Sequence, residues 1–165
     1  MVLLKRYDES GFHFFTNYNS RKGVELAENP NGCIMFYWAR PNRSIRIEGP
    51  VQKLSEQEAD DYWVRRPLDS QASAAISTQS QPVPSRQYLS DCLNEIKQAH
   101  GDGPVPRPQH WGGYVLKPET FEFWQGQSDR LHDRIRFRTR RQDEEVLAPQ
   151  TNLGENGWLF ERLAP

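Results

Sequence analysis

Alternation between apolar and polar side chains predicts β-strands along much of the chain. The apolar runs Val2–Leu4 and Phe12–Phe15 flank the sequence YDESG and predict a β-hairpin. In the segment SIRIEGPVQKL, apolar residues alternate with polar ones and predict a half-buried strand. The segment CIMFYWAR is apolar over Cys33–Trp38, which is typical of a strand buried on both faces. Further strands are predicted in WGGYVLKPETFEFWQ, LHDRIRFRTRR and GWLFERLAP.

Helical spacing and capping residues predict three helices between these strands. The first begins after Ser20 and closes at Asn29. The second begins at the capping box that starts with Ser55 and ends near Arg66, because Pro67 disfavours the helical conformation of its predecessor. The third is the amphipathic segment SRQYLSDCLNEIKQAHG. Strands and helices in this order predict the α+β class, as a small β-barrel with peripheral helices in one domain over residues 1–165.

Two segments are predicted to lack regular structure. The composition of LDSQASAAISTQSQPVPS is typical of a flexible linker, although a helix can begin within it after Pro67. The segment RRQDEEVLAPQTNLGEN is predicted to be a mobile surface loop.

Composition narrows the possible functions. The chain has 21 basic and 22 acidic residues and a net charge of −1, which argues against a general nucleic-acid binder. Cys33 and Cys92 are too few for a disulfide framework and lack metal-ligand spacing, so we expect no metal. No segment has the length of a membrane span, and the first apolar run is too short for a signal peptide. These features predict a cytoplasmic protein without membrane contact.

A row of cations between Glu122 and Arg141 is the first candidate for chemistry. If this segment is a strand, Leu131, Ile135 and Phe137 share one face. The other face carries Arg130, His132, Arg134, Arg136, Arg138 and Arg140. Such a row is typical either of a solvated edge strand or of a site for a phosphate or carboxylate, and the two interpretations are equally supported.

Two further places suit an anion. Arg21 and Lys22 follow Ser20 at a helix N-terminus, which attracts phosphate, although an ordinary serine cap with exposed cations is equally possible. Tyr62 and Arg66 share a helix face, and Ser70 follows the bend at Pro67, so the three can converge on a phosphate.

The plainer alternative for that second place is a packed tyrosine, a surface arginine and a capping serine, which is the commoner arrangement. Lys5 in the first predicted strand fits either interpretation. No hydrolytic or phosphate-loop motif is present, which favours a cofactor that brings its own chemistry.

The sequence also resembles a known family. The segments FFTNYNSRKGVEL, NRSIRIEGPVQKL, YWVRRPLDSQ, WGGYVLKPETFEFWQGQSDRLHDR and WLFERLAP resemble the pyridoxamine/pyridoxine 5′-phosphate oxidases over essentially the whole chain. The resemblance implies a split-barrel FMN-binding fold and a homodimer with FMN at its interface. It implies oxidation of pyridoxine or pyridoxamine 5′-phosphate to pyridoxal 5′-phosphate, with O2 reduced to hydrogen peroxide.

The resemblance also implies roles for particular residues. Those expected to contact FMN are Met1, Val2, Leu3, Leu4, Phe15, Thr16, Arg21, Lys22, Ser44, Gln79, Ser80, Trp124 and Arg134. Those expected to bind the substrate phosphate are Lys5, Tyr62, Arg66 and Ser70. Arg130 and His132 are expected to act on the substrate ring, with Leu131 between them. Arg136, Arg138 and Arg140 are expected to be solvated or interface cations.

Two departures from the family pattern open alternatives. Ser44 stands where the family usually has a Gln that touches the flavin. The family has an Arg directly before the position of Met1 and a helix and strand further upstream, so the resemblance predicts an N-terminally shortened chain. A non-catalytic isoform or fragment that binds pyridoxal phosphate or FMN without turnover is therefore the alternative function. A nucleic-acid module that uses the arginine row is a third, disfavoured by the net charge.

Overall fold

The computed structural model describes residues 1–101 and 103–165. The elements are β1 (Arg6–Asp8), β2 (Gly11–Asn17), α1 (Arg21–Glu28), β3 (Asn31–Trp38), β4 (Arg43–Lys53), α2 (Glu56–Trp63), α3 (Leu68–Ile76), α4 (Arg86–His100), β5 (Trp111–Leu116), β6 (Thr120–Gln125), β7 (Asp133–Arg138), β8 (Thr151–Leu153), a short 3-10 helix (Glu155–Gly157) and β9 (Leu159–Arg162). They form two compact units. The first unit is Met1–Pro30 with Val51–Val115, and the second is Asn31–Pro50 with Leu116–Pro165. One domain over the whole chain stays a prediction.

The N-terminal hairpin forms in the first unit, but its first strand lies later than predicted. β1 pairs antiparallel with β2, and Tyr7 stands opposite Phe12. The paired residues are Arg6–Asp8, opposite Gly11–His13, and the Lys5 N–H also donates to the His13 carbonyl oxygen at 2.9 Å. The prediction of a strand at Val2–Leu4 is therefore wrong.

Serine caps fix the helices of the first unit. Ser20 accepts a hydrogen bond from the Gly23 N–H, and Ser55 forms the predicted capping box with Glu58. Ser85 caps α4. These helix starts are confirmed, while α2 ends at Trp63 and not near Arg66.

The helix expected as the alternative after Pro67 is confirmed, because α3 occupies Leu68–Ile76, and the predicted linker is wrong over its first half. Pro67 precedes the first helical residue, and the helix buries Gln71 and Ala72. Burial against the rest of the unit thus outweighs the polar composition of this segment. A fourth helix is the result.

None of the helices among the described residues is long and apolar enough to cross a membrane.

The second unit is built from antiparallel strands. β4 pairs with both β3 and β6, and the order continues through β7 and β9 to β8. β8 and the 3-10 helix fall within the segment predicted to be a mobile loop, so that prediction is wrong for its last residues.

β3 is not buried on both faces, contrary to the prediction. Met35 is 62% exposed and Tyr37 is 60% exposed. The described residues of the second unit form no α-helix, so no helical layer within that unit covers this face of β3. A continuous apolar run therefore marks an uncovered sheet face here.

The cation row begins before its strand. β7 starts at Asp133, so Arg130, Leu131 and His132 precede it. Inside the strand the predicted alternation holds, since Arg134, Arg136 and Arg138 share one face and each meets a glutamate. Arg134 pairs with Glu122, Arg136 with Glu161, and Arg138 with both Glu161 and Glu144.

The prediction of a solvated cation is therefore wrong for Arg138. Arg136 is partly exposed and pairs with Glu161, and its role as a solvated or interface cation stays a prediction. Arg138 is only 7% exposed and is held by two carboxylates. The neighbouring glutamates supply the anions that the sequence pattern left unassigned. Arg140 is exposed, as expected, and donates to the main-chain carbonyls of Glu144 and Glu145.

Candidate cofactor and phosphate site

A cavity of about 630 Å³ in the first unit gathers many of the predicted site residues. Those that line it are Met1, Val2, Leu3, Lys5, Phe15, Thr16, Arg66, Ser70 and Gln79. They come from the N-terminal segment, β2, the bend between α2 and α3, and the segment after α3. Of the other residues predicted in this unit, Lys22 and Tyr62 contact members of this set, while Leu4, Arg21 and Ser80 are exposed.

Lys22 lies beside this cavity and contacts two of its lining residues, Thr16 and Gln79. Its Nζ donates to Gln79 Oε1 at 2.6 Å, to Thr16 Oγ1 at 3.1 Å and to Ser20 Oγ at 3.2 Å. All three acceptors are neutral, and burial lowers the pKa of Lys22. Among the described residues, no carboxylate forms an ion pair with this ammonium group. A partly buried cation with only neutral partners favours an incoming anion.

The neighbouring Arg21 is held differently. Its Nε donates to Glu25 Oε1 at 2.8 Å, one turn further along α1. This hydrogen bond raises the pKa of Arg21. Both side chains are exposed, so the pair is weak and can open.

Ser80 has a positive φ of 73° just after Gln79.

Arg66 lines the cavity itself. Its Nη2 donates to the Ser70 carbonyl oxygen at 2.7 Å, and its buried Nε has no hydrogen-bond partner among the described residues. Burial lowers the pKa of Arg66, while the nearby Tyr62 opposes that change. An unpaired, buried guanidinium N–H at a cavity is a donor ready for an anionic oxygen.

An aromatic stack forms the wall beside Arg66. The rings of Phe15 and Tyr62 lie 4.0 Å apart, and Phe15 lies 5.5 Å from Trp111. The Arg66 guanidinium sits 4.8 Å from the Trp111 ring, and Lys5 Nζ lies 5.9 Å from the Tyr62 ring. Trp111 was missed by the sequence analysis, because nothing in the pattern WGGYVL connects it with residues of α2.

One acidic residue also reaches this cavity. Asp69 lines it beside Arg66 and Ser70, which would oppose a bound phosphate if the carboxylate were free. Lys97 Nζ lies 2.6 Å from Asp69 Oδ1. Asp69 is exposed, so water and this ion pair from α4 weaken its repulsion of a bound phosphate.

The remaining predicted residues lie in the second unit. Ser44 of β4 stands opposite Trp124 of β6. With Arg134 they line a second cavity of about 380 Å³, which Pro165 also lines. Arg134 donates to Glu122 Oε1 and to the Ala164 carbonyl oxygen, each at 2.8 Å. The chain terminus and Glu122 therefore fix the direction of this guanidinium.

His132 is oriented by its neighbours. Its ring lies 5.1 Å from the Trp124 ring, and its Nδ1 accepts a hydrogen bond from the Gln127 N–H at 3.0 Å. Because Nδ1 accepts, the neutral ring carries its proton on Nε2. Arg130 has a positive φ of 67°, and both Arg130 and Leu131 are exposed. The structure thus brings Trp124 and His132 together and leaves the side chains of Arg130 and Leu131 in solvent.

Comparison with known proteins supplies the family. A family model described as pyridoxamine 5′-phosphate oxidase matches residues 1–100. A second, described as the pyridoxine 5′-phosphate oxidase C-terminal dimerisation region, matches residues 111–165.

Relatives with assigned names match over the full chain. The pyridoxine-5′-phosphate oxidase of Bos taurus is 49% identical, with 100% of this chain and 64% of that protein covered. The pyridoxine/pyridoxamine 5′-phosphate oxidase of Trichormus variabilis is 46% identical, with 100% and 71% covered. The chloroplastic enzyme of Arabidopsis thaliana is 48% identical, but the chain spans only 29% of it.

Solved structures agree on the fold. PhzG from Burkholderia lata, determined with tetrahydrophenazine-1-carboxylic acid, has a TM-score of 0.82 at 30% identity, covering 99% of this chain and 73% of that one. An FMN-binding protein from Nostoc punctiforme has a TM-score of 0.69 at 12% identity, covering 99% and 78%, which supports the fold alone. The predicted α+β split-barrel class is confirmed, and the chain belongs to the pyridoxamine 5′-phosphate oxidase family.

Proposed function

We propose that this chain is an FMN-dependent oxidase that converts pyridoxine 5′-phosphate or pyridoxamine 5′-phosphate to pyridoxal 5′-phosphate and reduces O2 to hydrogen peroxide. The observation that carries the proposal is a pair of cations that have no carboxylate partner among the described residues. Arg66 lines the 630 Å³ cavity, and Lys22 donates to Thr16 and Gln79, which line it as well. Two phosphates, one from the cofactor and one from the substrate, would satisfy both.

The residues around Lys22 fit the phosphate of FMN. The ammonium group is partly desolvated and donates to neutral oxygens, which a phosphate dianion would replace or join. Thr16 and Gln79 add polar groups beside it. Arg21 and Ser80 would complete the phosphate contacts, and Met1–Leu4 with Phe15 would line the flavin. Ser44, Trp124 and Arg134 are proposed as further FMN contacts on the strength of the family resemblance.

The residues around Arg66 fit the phosphate of the substrate. Its unpaired Nε would donate to a phosphate oxygen, and Lys5, Tyr62 and Ser70 would add a charge and two hydroxyls. Each charge-assisted hydrogen bond contributes about 1.5–3 kcal/mol, so several together hold a dianion against water.

Bound FMN would supply an acceptor for the hydride equivalent leaving the 4′ carbon of the substrate, so the chain need not provide a nucleophile. The task of the protein is then to orient the substrate and to exclude water. The stack of Phe15, Tyr62 and Trp111 provides an apolar wall beside the phosphate site. His132, whose neutral ring carries its proton on Nε2, and Arg130 are proposed to act on the substrate ring on the strength of the family resemblance.

The names of the relatives support the substrate class. Three proteins of 46–49% identity are named as oxidases of pyridoxine or pyridoxamine 5′-phosphate. The chain spans 64% of the bovine relative and 29% of the Arabidopsis one, so the activity of the whole protein is part of this proposal. A homodimer with FMN at its interface is proposed as well, supported by the match of residues 111–165 to a dimerisation region.

The test is reconstitution followed by turnover. The purified protein is mixed with FMN, freed of excess, and examined for a retained flavin absorption band. Pyridoxine and pyridoxamine 5′-phosphate are then added, and pyridoxal phosphate and peroxide are measured. Equal amounts of the two products support the proposal. A protein that retains FMN or pyridoxal phosphate but forms no peroxide would instead be the non-catalytic binder.

A further inference from the structure

Gln71 is a buried polar residue to which the proposed function assigns no role. It lies in the first turn of α3 and is 1% exposed. A buried glutamine is costly unless its amide is fully bonded. Its side chain makes three hydrogen bonds, all to main-chain atoms, and these reach two separate segments of the first unit.

Two of these bonds hold the bend between α2 and α3. Gln71 Nε2 donates to the Arg66 carbonyl oxygen at 3.0 Å and to the Trp63 carbonyl oxygen at 3.3 Å. The Gln71 main-chain N–H donates to the Pro67 carbonyl oxygen at 3.0 Å. Gln71 therefore stabilises the segment between Trp63 and Gln71 through hydrogen bonds of both its main chain and its side chain.

The third bond ties this bend to the segment before β5. The Val105 N–H donates to Gln71 Oε1 at 3.0 Å, and the Trp63 indole Nε1 donates to the Val105 carbonyl oxygen at 2.7 Å. Val105 is thus held at both its amide and its carbonyl, and it is itself 5% exposed.

The guanidinium of Arg66 depends on this arrangement. It lies 5.5 Å from the Trp63 ring and 4.8 Å from the Trp111 ring, and its Nη2 donates to the Ser70 carbonyl oxygen. Its Nε has no internal partner. Rotation of the bend would carry the guanidinium away from the cavity, because the Arg66 backbone lies in the bend and its acceptor Ser70 lies in the first turn of α3.

We infer that Gln71 is a positioning residue for phosphate recognition: it fixes the Arg66 carbonyl and so holds the Arg66 guanidinium towards the cavity. This inference rests on the proposed function, in which Arg66 binds the phosphate of the vitamer. It predicts that Gln71 controls the preference for phosphorylated over unphosphorylated ligands.

The experiment measures binding of pyridoxal 5′-phosphate and of pyridoxal to the FMN-loaded protein, together with the Kd for FMN. Gln71→Met keeps the side-chain length and removes all three hydrogen bonds. We expect the Kd for pyridoxal phosphate to rise about tenfold, as for the loss of one charge-assisted bond, while the Kd values for pyridoxal and FMN change by less than about twofold.

A double-mutant cycle separates positioning from general damage. In an Arg66→Ala background, Gln71→Met should cause no further loss of phosphate selectivity, since its effect passes through Arg66. A full additional effect in that background would overturn the inference. An equal loss of pyridoxal and pyridoxal phosphate binding would do the same. Val51→Ala is the stability control, because Val51 is a buried apolar residue of the same unit.

A second variant and a turnover measurement complete the test. If Gln71→Met does not fold, Trp63→Phe removes the indole N–H that holds Val105 while leaving a ring beside Arg66, and it should weaken pyridoxal phosphate selectively by a smaller factor. An unchanged ligand preference in that variant would contradict the inference. If the wild type binds pyridoxal phosphate tightly but shows no turnover, the proposed oxidase activity fails while the cycle still tests Gln71.

Discussion

Lys22 donates a hydrogen bond of 2.6 Å to Gln79, across 57 positions of sequence. This contact joins the N-terminus of α1 to the segment that follows α3. Thr16 Oγ1 also donates to the same Gln79 oxygen at 3.0 Å, so the amide oxygen serves two donors. The acceptors around Lys22 are therefore all neutral, and among the described residues no carboxylate pairs with it.

Lys22→Met tests the proposed contact with the FMN phosphate. Loss of a charge-assisted contact of about 1.5–3 kcal/mol should raise the Kd for FMN about 10- to 100-fold. Fluorescence quenching of FMN on titration measures this directly. Lys117→Met is the matched control, because Lys117 is an exposed lysine between β5 and β6. Equal FMN affinity of wild type and Lys22→Met would exclude Lys22 from the phosphate site.

Glu25→Gln should have the opposite effect on the same equilibrium. Glu25 now holds Arg21 at 2.8 Å, and its charge competes with a phosphate for that guanidinium. Opening an exposed pair of this kind costs about 0.2–1 kcal/mol, so its removal should tighten FMN by up to about fivefold. The titration used for Lys22 measures the change.

The control for this prediction lies on the same helix. Glu28→Gln removes one negative charge from the last turn of α1, away from Arg21. It should leave FMN affinity nearly unchanged. If Glu25→Gln and Glu28→Gln tighten FMN equally, net charge explains the effect and Arg21 has no specific part in it.

Sequence reasoning reached the local features of this site and missed the distant ones. Ser20 as a helix cap followed by Lys22 is a pattern within three residues, and the structure reproduces it. The link from Lys22 to Gln79 and the stacking of Arg66 on Trp111 join segments far apart in sequence. Periodicity carries no information about such contacts, and only the family resemblance placed Gln79 near the cofactor.

The arginine row shows a different limit. Alternation correctly placed Arg134, Arg136 and Arg138 on one face of a strand, but the pattern of one strand does not reveal its neighbour. Glu122 on β6 and Glu161 on β9 lie beside these cations and neutralise them. The sequence pattern left two interpretations, solvation or an anionic ligand. Neither included the glutamates of neighbouring strands that pair with these three arginines.

Arg130 is tested best by a matched pair of substitutions. Its φ of 67° is costly for any residue with a Cβ, by about 1–2 kcal/mol, and is free for glycine. Arg130→Ala and Arg130→Gly both remove the guanidinium. We expect each to lower kcat/KM about 100-fold with FMN still bound, while Arg130→Gly is the more stable of the two.

The pair separates side-chain chemistry from backbone strain. Steady-state rates with pyridoxine 5′-phosphate, bound flavin absorbance and thermal unfolding are measured on both variants. Equal rates with different Tm values support a role for the guanidinium on the substrate. If flavin loss accounts for the lower rate in both variants, Arg130 belongs with the cofactor and not with the substrate.

Acid should weaken the second unit through Glu161. Burial raises the pKa of this carboxyl, but hydrogen bonds from Arg136, Arg138 and Thr151 together outweigh burial and bring its pKa to about 2. Arg138 likewise lowers the pKa of Glu144 to about 2. A folded-state pKa below the ordinary value of 4.5 means that the ionised form stabilises the fold. That contribution is complete above about pH 5 and disappears as the pH falls towards 2.

Glu161→Gln should therefore lower stability most near neutral pH, by about 3 kcal/mol, because it leaves Arg136 without its partner and Arg138 with Glu144 alone. The difference from wild type should shrink as the pH is lowered, since the wild-type carboxyl then becomes neutral as well. Urea unfolding at several pH values between 7 and 3 measures both curves. Parallel curves across that range would show that Glu161 does not titrate with folding and that the arginines are satisfied in another way.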